Sequence, residues 1–119
     1  MSRYQRSLLA ILIAACSGSA QAEVNLGDFR EMVSVAKTEN DRAILNLYLS
    51  GVLGAYGWAN ATLAARHQPL LFCAPATPPL LPEHAQNMLL EIPLNELNKG
   101  MPASLMLAGA LQRAFPCKR

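Results

Sequence analysis

The sequence predicts an all-α protein, a small bundle of about four helices around one long central helix, with one disulfide and a preceding signal peptide. The central helix is indicated by the stretch from Ala43 to Ala65, which carries no charged residue and is long enough for about six helical turns. Apolar residues elsewhere recur at helical spacing. No stretch alternates apolar and polar residues for long enough to form a half-buried strand.

The central helix has a start signal and two unlike faces. Thr38 and Asp41 stand before the uncharged stretch at the spacing of a capping box. One face is broadly apolar, and the other is a seam of small or weakly polar residues. The seam consists of Asn46, Ser50, Gly54, Gly57, Asn60, Ala61 and Ala64. Because interior glycines destabilise a helix, we expect a neighbouring helix to pack closely on this seam. A membrane span is disfavoured by the asparagines and glycines of the stretch.

Shorter helices are predicted on both sides of the central one. A first amphipathic helix follows the possible caps from Asn25 to Asp28. Its apolar residues are Phe29, Met32, Val33 and Ala36, at helical spacing. After the central helix, the prolines between Pro69 and Pro82 predict an ordered extended loop, because proline interrupts helices and central strands.

Two more helices are predicted after the proline loop. Pro82 suits a first helical position, and Pro93 ends or kinks the helix that it starts. Residues 94–99 add one further turn, for which Gly100 is the expected C-terminal cap. The last helix runs from Pro102 to about Phe115, and its apolar composition predicts that it is well buried.

The first 22 residues have the pattern of a secretory signal peptide. Arg3 and Arg6 precede an apolar stretch, and Ala20-Gln21-Ala22 forms a cleavage signal before Glu23. This divides the chain into a signal peptide, 1–22, and a domain, 23–119, located in a bacterial periplasm. Residues 13–16 also resemble a lipobox, so the alternative is a lipoprotein signal, 1–15, with Cys16 lipidated and the protein anchored in the envelope.

The charge balance excludes some classes of partner. Removing Arg3 and Arg6 with the signal leaves as many basic as acidic side chains. No lysine- or arginine-rich patch predicts binding to nucleic acid or to a membrane surface.

The cysteines predict one disulfide. Cys16 belongs to the export segment, which leaves Cys73 and Cys117 in an oxidising compartment. Their bond closes a loop of about 45 residues, which the chain-entropy model values at roughly 4 kcal/mol.

The chain offers little for catalysis. Its serines lack an elbow motif, and no spacing of His, Cys and Asp resembles a zinc site. Glu83, Glu91 and Glu96 could supply a glycosidase-type carboxylate pair, although glutamates on helix surfaces are usually only solvated. His67 and His84 lie at helix ends, where capping or solvent exposure is usual. We therefore predict no catalytic residues, no metal, no cofactor and no enzymatic activity.

Three motifs in order resemble the Rap/Tai family of immunity proteins. These motifs are Tyr48-x-x-Gly51 with Gly54, then Phe72-Cys73-x-Pro75, and finally Ala110-Leu111 leading to Ala114-Phe115-Pro116-Cys117. The resemblance covers the chain from about Tyr48 to Cys117. It departs from the family pattern at Pro93 and in the turn from Asn95 to Asn98.

The resemblance implies a fold and a function. Members of that family are small, exported, all-helical proteins, often homodimers, associated with type VI secretion. By this likeness, the protein binds and blocks a peptidoglycan-cleaving amidase injected by a neighbouring cell, and Cys73–Cys117 is its structural disulfide. The region that departs from the family pattern is the one that varies with the partner.

We expect the partner to be bound by a protruding segment. The first choice is the connection from Asn95 to Met101, with Glu96, Asn98 and Lys99 at its tip. The second choice is the loop from Pro75 to His84. Two other functions stay open: an envelope accessory protein without a toxin partner, which could be lipid-anchored through Cys16, and, with less support, a small hydrolase.

Overall fold

The computed structural model describes residues 23–118 and has four helices in this range. They are α1 (Leu26–Val35), α2 (Glu39–Ala65), α3 (Pro82–Glu91) and α4 (Ala103–Ala114). No strand occurs among these residues, although Asn25 and Pro102 form one isolated antiparallel bridge. The all-α prediction with a long central helix is therefore confirmed. The predicted signal segments and Cys16 lie outside the described residues.

The predicted capping box begins α2. The Thr38 hydroxyl accepts the Asp41 N–H at 3.1 Å, and the Asp41 carboxylate accepts the Thr38 N–H at 3.1 Å. Both bonds satisfy N–H groups that the first helical turn leaves without intrahelical partners. At the end of α3, the Arg30 guanidinium donates to the carbonyls of Leu90 and Ile92. These contacts fix where α2 begins and tie α1 to the end of α3.

The core lies on one side of α2, where the other helices pack. Leu45 and Leu49 of α2 are buried, and Tyr48, Val52 and Tyr56 of the same face pack partly against the core. Each of the other helices contributes buried side chains. These are Leu26 and Phe29 from α1, Ala85 and Leu89 from α3, and Ala103, Leu107, Ala110 and Leu111 from α4. The predicted apolar face of α2 is thus the face that packs against the core side chains of the other helices.

The expectation that a neighbouring helix packs on the small-residue seam of α2 is wrong within this chain. A Cβ atom added at Gly51, Gly54 or Gly57 would meet no atom of another part of the described chain within 4 Å. The other three helices contribute side chains to the core on the apolar face, and residues 23–118 contain no further helix to place on the opposite side. The middle of the seam, at Gly54, therefore has open space beside it, while its end from Gly57 to Ala64 lies beside the proline loop.

His67 marks the end of α2 with a left-handed backbone conformation, φ 53°. The Gln68 N–H donates to the Leu63 carbonyl at 2.9 Å, and the His67 N–H donates to the Ala64 carbonyl at 3.0 Å. This pair of bonds is a Schellman motif, in which glycine is more usual at the left-handed position. Histidine is among the residues that occupy this region more often than most.

The proline loop is ordered and extended, as predicted. Cys73 and Cys117 are bonded, and the Cys73 N–H donates to the Phe115 carbonyl at 2.8 Å, which joins the loop to the C-terminal segment. Asn60 of α2 accepts from the Leu71 N–H at 2.8 Å and donates to the Phe72 carbonyl at 2.9 Å. These bonds hold the Phe72 side chain in the core, where it is 6% exposed.

The turn before α4 and the burial of α4 itself both differ from the sequence prediction. Gly100 was expected to cap a turn in the left-handed conformation, but no described glycine has a positive φ. The turn closes instead through a bond from the Met101 N–H to the Asn98 carbonyl at 3.0 Å. The last helix, α4, was expected to be well buried but is buried on one face only, because Leu105 is 52% exposed and residues 112–114 are also exposed. No helix in residues 23–118 is long and apolar enough to cross a membrane.

Candidate partner-binding loop

The 92–102 loop connects α3 to α4 and lies against the start of α1. Three backbone hydrogen bonds attach it there. The Leu26 N–H donates to the Met101 carbonyl at 2.9 Å, and the Gly27 N–H donates to the Lys99 carbonyl at 2.9 Å. Just after the loop, the Ala103 N–H donates to the Val24 carbonyl at 2.8 Å. The loop backbone is therefore fixed to a helix terminus rather than only to its own ends.

This attachment satisfies backbone N–H groups at the N-terminus of α1. The first N–H groups of a helix have no intrahelical partners and must be satisfied from outside. Leu26 and Gly27 donate to the loop carbonyls, while the Asp28 N–H donates to the Asn25 side chain at 2.8 Å. Gly27 favours this close approach, because a Cβ atom there would lie 3.1 Å from the Lys99 carbonyl oxygen, which is a tight contact. Helix and loop thus stabilise each other.

Two asparagines order the loop from inside. The Asn95 side chain accepts the N–H groups of Leu97 and Asn98, both at 2.9 Å. The Asn98 side chain accepts the Asn95 N–H at 2.9 Å and donates to the Pro93 carbonyl at 2.8 Å. Such local side-chain hydrogen bonds replace the regular backbone hydrogen bonds that a helix would supply. The loop therefore has a defined shape without regular secondary structure.

The outer surface of the loop combines one large apolar side chain with an ion pair. Leu97 is 85% exposed, the most exposed large apolar residue among those described. Beside it, the Lys99 ammonium lies 2.6 Å from the Glu96 carboxylate, and both side chains are largely in solvent. An exposed pair of this kind contributes little to folding, about 0–1 kcal/mol. Neither Leu97 nor the ion pair is needed for the fold, so both are free to contact a partner.

The three residues predicted for partner binding have different positions. Glu96 and Lys99 lie together on the outside of the loop. Asn98 is half-buried, and its amide bonds to Asn95 and Pro93, so it helps to shape the loop.

Sequence reasoning missed Leu97. The available signal was a single leucine within a polar turn, Asn95-Glu96-Leu97-Asn98. This leucine is not part of an apolar helical or strand pattern, so its side chain is not expected in the core.

The second predicted segment, from Pro75 to His84, begins beside a shallow groove. This groove, about 470 Å³, lies between α2 and the proline loop and is lined by Gly57, Ala61, Ala64, Pro75 and Leu80 among others. His84 caps the start of α3, because its Nδ1 accepts the Leu81 N–H at 3.0 Å. The segment carries no exposed side chain as prominent as Leu97. The 92–102 loop is the better candidate.

Several ionisable groups have shifted pKa values, each with a structural cause. Burial, together with a hydrogen bond from the Tyr48 hydroxyl to the Glu23 carboxylate at 2.7 Å, raises the pKa of Tyr48. Burial also raises the pKa of Tyr56, whose hydroxyl donates to the Ser104 carbonyl. Both phenols are protonated at neutral pH and serve as hydrogen-bond donors between α2 and other parts of the chain.

The candidate carboxylates and metal ligands are dispersed. Glu83, Glu91 and Glu96 are all exposed. Within residues 23–118 no polar or charged side chain is fully buried, and no three residues among His, Cys, Asp and Glu lie close enough to hold a metal ion. The feature with a defined shape and an unused surface is the 92–102 loop.

Comparison of the chain with protein-family models, curated proteins and solved structures gives no match.

Proposed function

We propose that this protein is a non-catalytic periplasmic inhibitor that binds a peptidoglycan amidase toxin of a type VI secretion system. The 92–102 loop enters the substrate groove of the toxin and blocks it. The observation that carries the proposal is Leu97, which is 85% exposed on a loop whose backbone is fixed to the start of α1. The resemblance of the three sequence motifs to the Rap/Tai family supplies the class of partner.

A fixed loop suits inhibition for an energetic reason. Binding costs free energy when a flexible loop must be ordered, and a loop already ordered by its own hydrogen bonds avoids most of this cost. The exposed Leu97 side chain would lose its contact with water when a partner covers it, and burial of a leucine side chain stabilises a complex by about 1.5–3 kcal/mol. The Glu96–Lys99 pair beside it offers one acceptor and one donor to the polar rim of a groove.

The location in the periplasm rests on two supports. Residues 1–22 have the pattern of a signal peptide, and the Cys73–Cys117 bond suits an oxidising compartment. The intact mass of the protein from its own source separates the two export routes. Cleavage after Ala22 gives a chain that begins at Glu23, whereas lipoprotein processing gives one that begins at an acylated Cys16.

The experiment that tests the proposal begins with affinity capture. The mature, disulfide-bonded protein is used as bait in a periplasmic extract of its own source, and a wall hydrolase that is retained in stoichiometric amount is purified. Its dissociation constant and its inhibition on peptidoglycan are then measured. Recovery of the bait alone, from an extract in which such a hydrolase is expressed, would favour an envelope accessory protein without a toxin partner.

Substitutions locate the contact once the complex is available. Leu97→Gln is expected to raise Kd by about tenfold or more, which corresponds to about 1.4 kcal/mol or more, as for an interface anchor. Replacing Glu96 and Lys99 together by alanine should weaken binding less. Both variants should keep the wild-type melting temperature, because these side chains are in solvent.

Leu105→Gln is the matched control, since Leu105 is an exposed leucine on α4 that is 52% accessible. Its Kd should stay within about twofold of the wild-type value, well below the change expected for an anchor residue. The 92–102 loop does not make the inhibitory contact if all three variants have the same Kd: Leu97→Gln, the Glu96/Lys99 double variant and the control.

A further inference from the structure

The outward side of α2 is an exposed surface that the proposed function leaves unused. Its centre line consists of Leu47, Gly51, Gly54 and Trp58, which recur at helical spacing. Leu47 is 75% exposed and Trp58 is 78% exposed, and open space lies beside both glycines. We call these four residues the outer face.

The outer face is turned away from the core of the domain. Leu45 and Leu49, the buried residues of α2, project from the opposite side of the helix. The core side chains of α1, α3 and α4 pack on that opposite side. A layer that covered the outer face would therefore leave the other three helices in water.

The outer face lacks the charges that the solvent side of a helix normally carries. No charged residue occurs from Ala43 to Ala65, a length of about 34 Å along the helix axis. Leu47 and Trp58 therefore stand in water with no charged residue between the two ends of this stretch. Such a composition is typical of a surface that is covered by a partner or by a membrane.

We propose that the outer face lies flat on the surface of a phospholipid bilayer. Trp58 supports this choice, because the indole ring combines an apolar body with one polar N–H, and tryptophan is enriched where membrane and water meet. The contact is apolar rather than electrostatic, which agrees with the lack of a lysine- or arginine-rich patch. It is also superficial, because no helix in residues 23–118 is long and apolar enough to cross a membrane.

The centre of the outer face suits a fluid bilayer. The residues that dominate the affinity of a protein–protein interface are mostly large side chains near its centre. Gly51 and Gly54 occupy that position here, and each has open space beside it. Lipid head groups and chains can adapt to such a surface, since they have no fixed shape, and Leu47 and Trp58 can enter them on either side of the glycines.

The position of Glu23 brings the preceding segment of the chain to the edge of the outer face. The Glu23 carboxylate accepts a hydrogen bond from the Tyr48 hydroxyl at 2.7 Å. Glu23 also lines a shallow groove together with Leu47, Gly51 and Ser104. The chain therefore enters the described domain beside Leu47.

In the lipoprotein route, this position would keep the outer face close to the membrane. An acylated Cys16 is separated from Glu23 by residues 17–22, and seven residue steps span at most about 25 Å. Such a tether raises the effective concentration of the outer face at the bilayer, so a contact of two large side chains is enough to orient the domain. The bilayer contact is independent of the proposed function, because it involves neither Leu97 nor the rest of the 92–102 loop.

The test attaches the protein to lipid through the predicted anchor position. A chain that begins at Cys16 has one free thiol once Cys73 and Cys117 are bonded, and this thiol couples to a maleimide lipid in vesicles of phosphatidylethanolamine and phosphatidylglycerol. Trp58 reports the contact, since it is the only tryptophan in the chain. We expect its emission to shift to shorter wavelength on the vesicles, and lipids with brominated acyl chains to quench it.

Gly54→Glu is the variant that should lose the contact. The added side chain has open space, so the helical circular dichroism should be unchanged, whereas its carboxylate would have to leave water at the bilayer. With the same tether, Trp58 of this variant should emit as it does in water and should resist the brominated lipids. Asn87→Glu, a matched charge change at an exposed position on α3, should behave as the wild-type protein does, and so should Leu97→Gln.

Three results would overturn the proposal. One is a tethered wild-type protein in which the Trp58 emission stays as it is in water. Another is equal quenching of the wild-type protein and Gly54→Glu, which would mean that the tether alone brings Trp58 to the lipid. The third is a shift that occurs without vesicles and grows with protein concentration, which would assign the outer face to a second copy of the chain.

Discussion

The backbone N–H of Gly27 donates to the carbonyl oxygen of Lys99 at 2.9 Å, which joins the first turn of α1 to the loop that carries Leu97. The loop can lie this close because Gly27 has no side chain, and a Cβ atom there would be 3.1 Å from the Lys99 carbonyl oxygen. It satisfies a helix N–H that would otherwise lack a partner. The first turn of α1 and the candidate binding loop therefore stabilise each other.

Gly27→Ala should reveal this contact when it is compared with Gly57→Ala. Both glycines are helical, so alanine should raise the free energy of unfolding by up to about 1 kcal/mol where there is space. Gly57 has open space and should show this gain in urea denaturation. At Gly27 the new Cβ atom meets the Lys99 oxygen at 3.1 Å, so the gain should be absent or reversed. Equal gains in the two variants would contradict the close contact.

Asn98→Ala should loosen the 92–102 loop without removing any surface that a partner touches. It removes the bonds to the Asn95 N–H and the Pro93 carbonyl, and partly exposed bonds of this kind are worth about 1 kcal/mol each or less. Amide exchange at Asn95 and Leu97 should accelerate, and affinity for the proposed toxin partner should fall because the loop must be ordered on binding. Asn87→Ala on α3 is the control. Unchanged exchange at both amides would mean that Asn98 does not order the loop.

Asn60→Ala should destabilise the whole domain, because Asn60 attaches the proline loop to α2. Its amide makes two bonds, to the Leu71 N–H and to the Phe72 carbonyl. Loss of both should lower the free energy of unfolding by about 2 kcal/mol, since both backbone groups lose a partner beside the core. Asn60→Asp keeps the acceptor and should fall between alanine and wild type in urea denaturation. A loss below about 0.5 kcal/mol for alanine would show that water replaces the amide.

The helices could be predicted from the sequence because their signals are local. The Thr38–Asp41 capping box, Pro82 at a first helical position and the apolar residues of α1 each depend on spacing within a few residues. The Cys73–Cys117 bond could be predicted by counting, because only two cysteines lie beyond the predicted signal peptide. None of these features requires knowledge of which elements become neighbours.

The errors concern contacts between distant parts of the chain. Asn60 was assigned to the small-residue seam on the wheel, yet it is half-buried against the proline loop, whose path no local signal gives. Asn98 stays a predicted partner contact, and its bonds to Asn95 and Pro93 could not be predicted because they depend on the fold of the loop. The glycines of α2 predicted close approach of a neighbouring helix, which is wrong within this chain, because the arrangement of the other helices leaves open space beside them.

The last prediction concerns acid, through Asp41. Hydrogen bonds from the N–H groups of Thr38 and Lys37 stabilise its carboxylate and lower the pKa of Asp41 below its usual value. A carboxyl group whose pKa is lower in the folded protein stabilises the fold above its unfolded pKa, about 4, and this contribution is lost as pH falls through the folded value. Asp41→Asn retains an oxygen acceptor but has no charge to lose.

The free energy of unfolding of the wild-type protein should therefore exceed that of Asp41→Asn by a constant amount at neutral pH. The difference should shrink as pH falls below about 4, where the carboxyl group takes up a proton. Urea denaturation of both proteins in steps between neutral and strongly acidic pH measures it. A difference that is independent of pH, or that grows in acid, would show that the capping carboxylate does not stabilise α2 through its charge.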